Sequence, residues 1–135
     1  MKQRILIVDD EPVNTRFLES ALGFLGFDVV IAHNGREGLE ILTHMIVDGV
    51  LLDVNMPIMD GRTMLDELRW KGYTMPVIVM SGRIDESTMR LFLQEGAQAF
   101  LIKPFDIKPL QNICQRIFED NQEQQMSSSQ LSSRR

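Results

Sequence analysis

The chain has 135 residues, 44% of them hydrophobic and 24% charged, a size and balance that suit one globular domain. With 14 basic and 19 acidic residues the net charge is -5, which argues against the clustered basic face of a nucleic-acid-binding domain. No apolar run approaches a membrane span and no signal-peptide pattern opens the chain, so a cytoplasmic protein is expected. The single cysteine, Cys114, rules out an internal disulfide.

In chain order, apolar runs alternate with helical patterns. "RILIVDD" (4–10) predicts a buried strand ending in two carboxylates. Pro12 sits where the first turn of a helix tolerates it, and Phe17, Leu18, Ala21, Leu22 and Leu25 form a stripe that Gly26 stops. "FDVVIA" (27–32) predicts a second strand, Asn34-Gly35 a turn, and Gly38, Leu39, Ile41, Leu42 and Met45 a second helix. "GVLLDV" (49–54) predicts the third strand, and Met64, Leu65 and Leu68 a third helix ended by Gly72. Trp70 and Tyr73 flank that glycine and are expected to pack at the surface, while most of the nine methionines fall at core-type positions.

"MPVIVMSG" (75–82) predicts the fourth strand, followed by a helix capped by Asp85 and carrying Met89, Phe92 and Leu93. "AFLIKPF" (99–105) predicts the fifth, cut by Pro104. Asp106 is the expected cap of the last helix, with Pro109 in its first turn. In that helix Leu110, Ile113, Cys114 and Ile117 keep a buried-face spacing, so Cys114 reads as a core residue. Five strands alternating with five helices predict a parallel sheet covered on both faces. Beyond Asp120, "NQEQQMSSSQLSSRR" is too polar to offset its ordering entropy. Residues 1–120 are therefore expected to form the domain, and 121–135 a flexible tail or the stump of a linker.

In open α/β sheets, ligands bind beyond the carboxyl ends of the strands. There the first strand brings Asp9 and Asp10, the third Asp53, the fourth Ser81 and the fifth Lys103. Three carboxylates against one ammonium invite a divalent cation, and a hard, all-oxygen set suits magnesium. Asp53 is a nucleophile for phosphorus, and Lys103, Ser81 and the cation can each take one phosphoryl oxygen. The chain lacks "GxxxxGK[ST]", so the donor is expected to be another protein or a small phosphate rather than bound ATP.

With "ILIVDDEPVN", "LLDVNMPIMDG", "VIVMSG" and "AFLIKPF", the chain resembles the receiver domain of two-component response regulators, including the single-domain chemotaxis and sporulation types. The resemblance covers roughly residues 3–120. It implies a flavodoxin-like (βα)5 sheet, doubly wound, with strand order 2-1-3-4-5. It implies that Asp53 accepts a phosphoryl group from a phosphohistidine of a histidine kinase or phosphotransfer protein. Asp10, Asp53 and the backbone carbonyl of Asn55 would hold Mg2+ or Mn2+, with Asp9 acting through water. Ser81 and Lys103 would bind the phosphoryl group, and the bond between Lys103 and Pro104 would be cis. Ser81 and Phe100 match the family's switch pair, and Asn55 and Arg83 the positions that tune phosphoryl lifetime. Many relatives carry tyrosine where Phe100 stands, so a hydroxyl reporting the switch is missing here.

On this reading the chain is no enzyme beyond its own phosphorylation and dephosphorylation. Its output would go to an effector met through residues 88–118, or to a missing C-terminal output domain. A homodimer through the last strand and flanking helices is the other arrangement open to it, and neither nucleic acid nor a membrane is an expected partner of this domain. A phosphoaspartate hydrolase is disfavoured because Asn55 replaces the second aspartate of D-x-D. A flavin carrier lacks its serine- and threonine-rich phosphate loop. A phosphorylation-independent binding or dimerisation module is the remaining alternative, disfavoured by the intact acidic, hydroxyl and lysine set.

Overall fold

A computed structural model describes residues 2–82 and 85–119. The strands are β1 (Arg4–Val8), β2 (Asp28–Ala32), β3 (Gly49–Asp53), β4 (Val77–Ser81) and β5 (Ala99–Ile102). The helices are α1 (Pro12–Phe24), α2 (Gly35–His44), α3 (Gly61–Trp70), α4 (Glu86–Gln94) and α5 (Ile107–Cys114). A π-helical turn, Gln115–Glu119, prolongs α5. All strand pairs are parallel, in the order β2-β1-β3-β4-β5. The (βα)5 doubly wound sheet expected from the alternation is thus the fold.

Why the strands read as unbroken apolar runs is plain from the two cores. Leu6, Val8, Val50, Leu52, Val77 and Val79 face α2, α3 and α4. Their neighbours Ile5, Ile7, Leu51, Ile78 and Met80 face α1 and α5, where Cys114 is also buried. Alternate side chains go to opposite faces, and both faces are covered. Burial pushes the Cys114 thiol up to about 12, which fits an inert core residue. Met64 and Met80 are buried and the other described methionines half-buried.

Capping follows the local chemistry. Pro12 opens α1, and the side chains of Asn34, Asp60 and Asp85 accept from the N–H groups of Glu37, Thr63 and Thr88 at 2.8–2.9 Å. Asp106 occupies the N-cap of α5 but makes no side-chain cap bond. Gly26 and Gly72 end α1 and α3 at positive φ, as their sequence positions predict.

Several elements differ from expectation. β4 starts at Val77 rather than Met75, because Pro76 has no N–H to give the ladder. β5 ends at Ile102, before the cis Lys103-Pro104 bond. Leu93 and Phe17 are exposed, and α4 buries one side chain, Phe92. The C-terminal end of α4 is tied to α3 instead: Arg62 pairs with Glu95 at 3.0 Å, and Arg69 donates to the Gly96 carbonyl at 2.7 Å. Trp70 is 88% exposed, whereas the Tyr73 hydroxyl donates to the Leu42 carbonyl at 3.1 Å.

The first residue of β3 shows how closely the second core is filled. A Cβ on Gly49 would run into the ring of Phe118, which is fully buried and packs edge-on against Phe27 at 6.1 Å. Gly49→Ala is therefore expected to lower the unfolding free energy in urea by about 1–3 kcal/mol, the usual range for overpacking. A midpoint equal to wild type would mean that the ring moves aside freely.

Candidate functional site

The carboxyl edge of the sheet collects the polar residues. Asp9 follows β1, Asp53 closes β3, Ser81 closes β4 and Lys103 follows β5. Backbone bonds continue past the strand ends and level them: Asp9 N–H donates to Ala32 at 3.0 Å, Val54 to Met80 at 3.1 Å and Lys103 to Ser81 at 2.8 Å. Side chains from four strands are brought to one place by the register alone.

Asp9 is completely buried, at 0% exposure, and its charge is met by three donors. Glu11 N–H donates to Oδ1 at 3.0 Å. The Asn14 amide and the Lys103 ammonium both donate to Oδ2, at 3.2 and 3.1 Å. The same ammonium donates to Asp53 Oδ1 at 2.9 Å. Asp53 is 6% exposed and Asp10 lies open to solvent. One oxygen from each of Asp9, Asp10 and Asp53 lies within 4.8 Å of the others, a group that could hold a metal ion.

Burial has the largest influence on Asp53 and pushes its carboxyl above the ordinary range. The Lys103 hydrogen bond opposes this, and the charges of Asp9 and Asp10 add to it. For Lys103, burial acts downward, but the hydrogen bond and charge of Asp53, with the contacts to Asp9, outweigh it and the net shift is upward. The lysine is thus held protonated in a pocket with more negative charge than it can balance. A cation would relieve the excess.

The loop after Asp53 folds back on it. Gly61 N–H donates to the Val54 carbonyl at 2.9 Å, and a Cβ on Gly61 would collide with the Asp53 carbonyl oxygen. Between them Met59 N–H donates to Pro57 at 2.7 Å across Ile58, whose φ is 68°. This is a γ-turn in the strained form, on a β-branched residue that is 78% exposed. Gly35 N–H donates to the Met59 carbonyl at 3.0 Å and pins the loop to α2.

Asp9, Asp10, Asp53, Ser81 and Lys103 therefore meet at one edge, as their sequence positions suggest. Ser81 is 4% exposed. Asn55 is exposed two residues past Asp53. Phe100 is half-buried on the α2–α4 side of the sheet, its ring 6.1 Å from that of Phe92 in an edge-on pair. Arg83 lies outside the described residues. His33 pairs with Glu37 at 3.2 Å on the surface and, among the described residues, joins no candidate metal group. Asn14 is the site residue that pattern reading missed. Its one signal is position, in the first turn of the helix after the acidic pair, where an amide can face back toward the strand end.

The model of the response regulator receiver domain matches residues 5–115. Regulatory protein AtoC of Escherichia coli (strain K12) is 40% identical over 116 residues, 86% of this chain and 25% of AtoC. Chemotaxis protein CheY4 of Vibrio cholerae superposes with a TM-score of 0.83 at 27% identity, over 87% of this chain and 99% of that one. The receiver domain of sensor histidine kinase PA1611 from Pseudomonas aeruginosa PAO1, with a magnesium ion coordinated in its active-site cleft, gives 0.79 at 30% identity, over 88% and 99%. The chain spans between 11% and 51% of the length of the first curated relatives it matches.

The electrostatics can be tested without a metal. Because the folded Asp53 holds its proton above the ordinary value, its contribution opposes folding increasingly as pH rises from about 3.8 through the raised value. Lys103→Met removes the opposing hydrogen bond, so carboxyl NMR in chelator-treated buffer should show Asp53 titrating at still higher pH. An unmoved titration would mean that the lysine does not hold the carboxylate.

Proposed function

We propose that this chain, which belongs to the response regulator receiver domain family, is a phosphorylation-activated signalling switch that takes a phosphoryl group onto Asp53. The observation that carries this reading is the Lys103 ammonium, 2.9 Å from Asp53 and inside the cluster formed with Asp9 and Asp10. Family members act as switches rather than conventional enzymes, and the chemistry of this chain is confined to its own phosphorylation and dephosphorylation.

The donor is a phosphohistidine of a histidine kinase or a phosphotransfer protein. One Asp53 oxygen bonds to phosphorus as the donor P–N bond breaks, and the imidazole nitrogen keeps the electron pair. Charge builds on the equatorial oxygens, so positioned donors do most of the work. Lys103, already at hydrogen-bond distance from Asp53, takes one oxygen, and the Ser81 hydroxyl takes another. Asp10, Asp53 and the Asn55 backbone carbonyl would hold Mg2+ or Mn2+, with Asp9 acting through water. The donor set fits such an ion, being all oxygen and over-supplied with negative charge. When bound, the ion would neutralise charge on the phosphoryl oxygens. The magnesium in the related PA1611 receiver domain supports the choice.

Ser81 and Phe100 form the switch. A shift of the Ser81 hydroxyl toward the phosphoryl group leaves room for Phe100 to move inward, and the Phe92 ring, packed on Phe100, carries the change to α4. Asn55 and Arg83 tune how long the phosphoryl group survives. The receiver unit spans residues 1–120 and acts in the cytoplasm. Its output passes through residues 88–118 to an effector protein, to a second copy, or to an output domain beyond 121–135.

Two outcomes test this. Incubation with acetyl phosphate and Mg2+ should give wild type one acid-stable, base-labile phosphoryl adduct by intact mass, absent in Asp53→Ala. An adduct that persists in the variant would refute Asp53 as acceptor. Beryllofluoride, a phosphoryl mimic, should shift the amide NMR signals of α4 in wild type. Those shifts should shrink to less than about half in Phe100→Ala, which loses the aromatic pair. Equal shifts in both would remove Phe100 from the switch.

A further inference from the structure

The structure assigns Asn14 a positioning role: its amide frees Lys103 to change partners, an inference that rests on Asp53 being the phosphoryl acceptor. Asn14 lies in the first turn of α1 and is half-buried. Its Nδ2 donates at 3.2 Å to Asp9 Oδ2, the oxygen that also accepts from Lys103 Nζ at 3.1 Å. The other oxygen, Oδ1, is taken by Glu11 N–H at 3.0 Å. Lys103 in turn divides its protons between Asp9 and Asp53, the latter at 2.9 Å.

This division matters when a phosphoryl group reaches Asp53. The ammonium has to lean toward the phosphoryl oxygens and loosen its hold on Asp9. Asp9 is fully buried, so an Oδ2 left without a donor carries a full desolvation cost. That cost acts as a restoring pull, keeping Lys103 with Asp9. Asn14 lowers the pull because Oδ2 keeps a hydrogen bond wherever the lysine goes. The residue type fits the task. A cation at this place would cancel charge that the cluster presents, and a carboxylate would repel Asp9, whereas an amide brings two N–H donors and no charge. Asn14 does not touch phosphorus in this scheme; it acts on Asp9 and through it on Lys103.

The experiment compares the full wild-type chain with Asn14→Leu and Asn14→Ala, using acetyl phosphate as donor at saturating Mg2+. Both variants lose the amide, and the alanine covers the case in which leucine packs badly. The rate constant for labelling Asp53 should fall about tenfold in both, the effect expected from losing one hydrogen bond to a charged group. The Mg2+ dissociation constant from calorimetry should stay within about twofold, since no proposed metal ligand is removed. Thermal unfolding midpoints near wild type show that the variants are folded, and a purely structural role for Asn14 would leave the rate constant alone. An unchanged rate constant, or a loss fully explained by weaker Mg2+ binding, overturns the inference. A wild type that takes no label on Asp53 sinks the proposed function instead, so the two failures are told apart.

Discussion

One ammonium shared by two buried carboxylates organises the edge of this sheet. Lys103 reaches Asp9 and Asp53 together, at 3.1 and 2.9 Å, from a strand that touches neither parent strand. Without it, two acidic groups with almost no solvent access would face each other. Burial already works against the charged form of Asp53, and the Lys103 hydrogen bond and charge act in its favour. The rest of the architecture can be understood as what brings that nitrogen there. β3 and β4 must lie between β1 and β5 in parallel, with their ends level, for the reach to be right.

Much of this was legible in the residues. Five apolar runs could be recognised as strands because both sheet faces are covered, so burial leaves no polar interruption. Asp9, Asp53, Ser81 and Lys103 could be grouped because parallel strands must all end on the same side. The cap at Asp85 follows from a short polar side chain three residues before a free N–H. These are properties of local chemistry and of topology, and a linear chain displays both.

What was not legible depends on relations that the linear pattern does not encode. Leu93 continues an apolar helical stripe, yet it is exposed, and α4 buries Phe92 alone. Asp106 stands at a helix start like the other caps but makes no bond there. Asn14 looks like any polar residue of an amphipathic helix, and only the placement of α1 against the end of β1 turns its amide to Asp9. Ile58 would never be chosen for a positive φ; the return of the loop onto Asp53 imposes it.

The slight anchorage of α4 has an energetic consequence. One buried ring is worth roughly 1.5–3 kcal/mol, whereas inverting a two-state equilibrium from 1:99 to 99:1 takes about 5.5 kcal/mol. A helix held by one ring and by arginine contacts, all toward its C-terminal end, is anchored by packing of the same order as the energy that redistributes a two-state equilibrium. A helix buried as deeply as α3, with Met64, Leu65 and Leu68 all inaccessible, could not be redistributed at that energy.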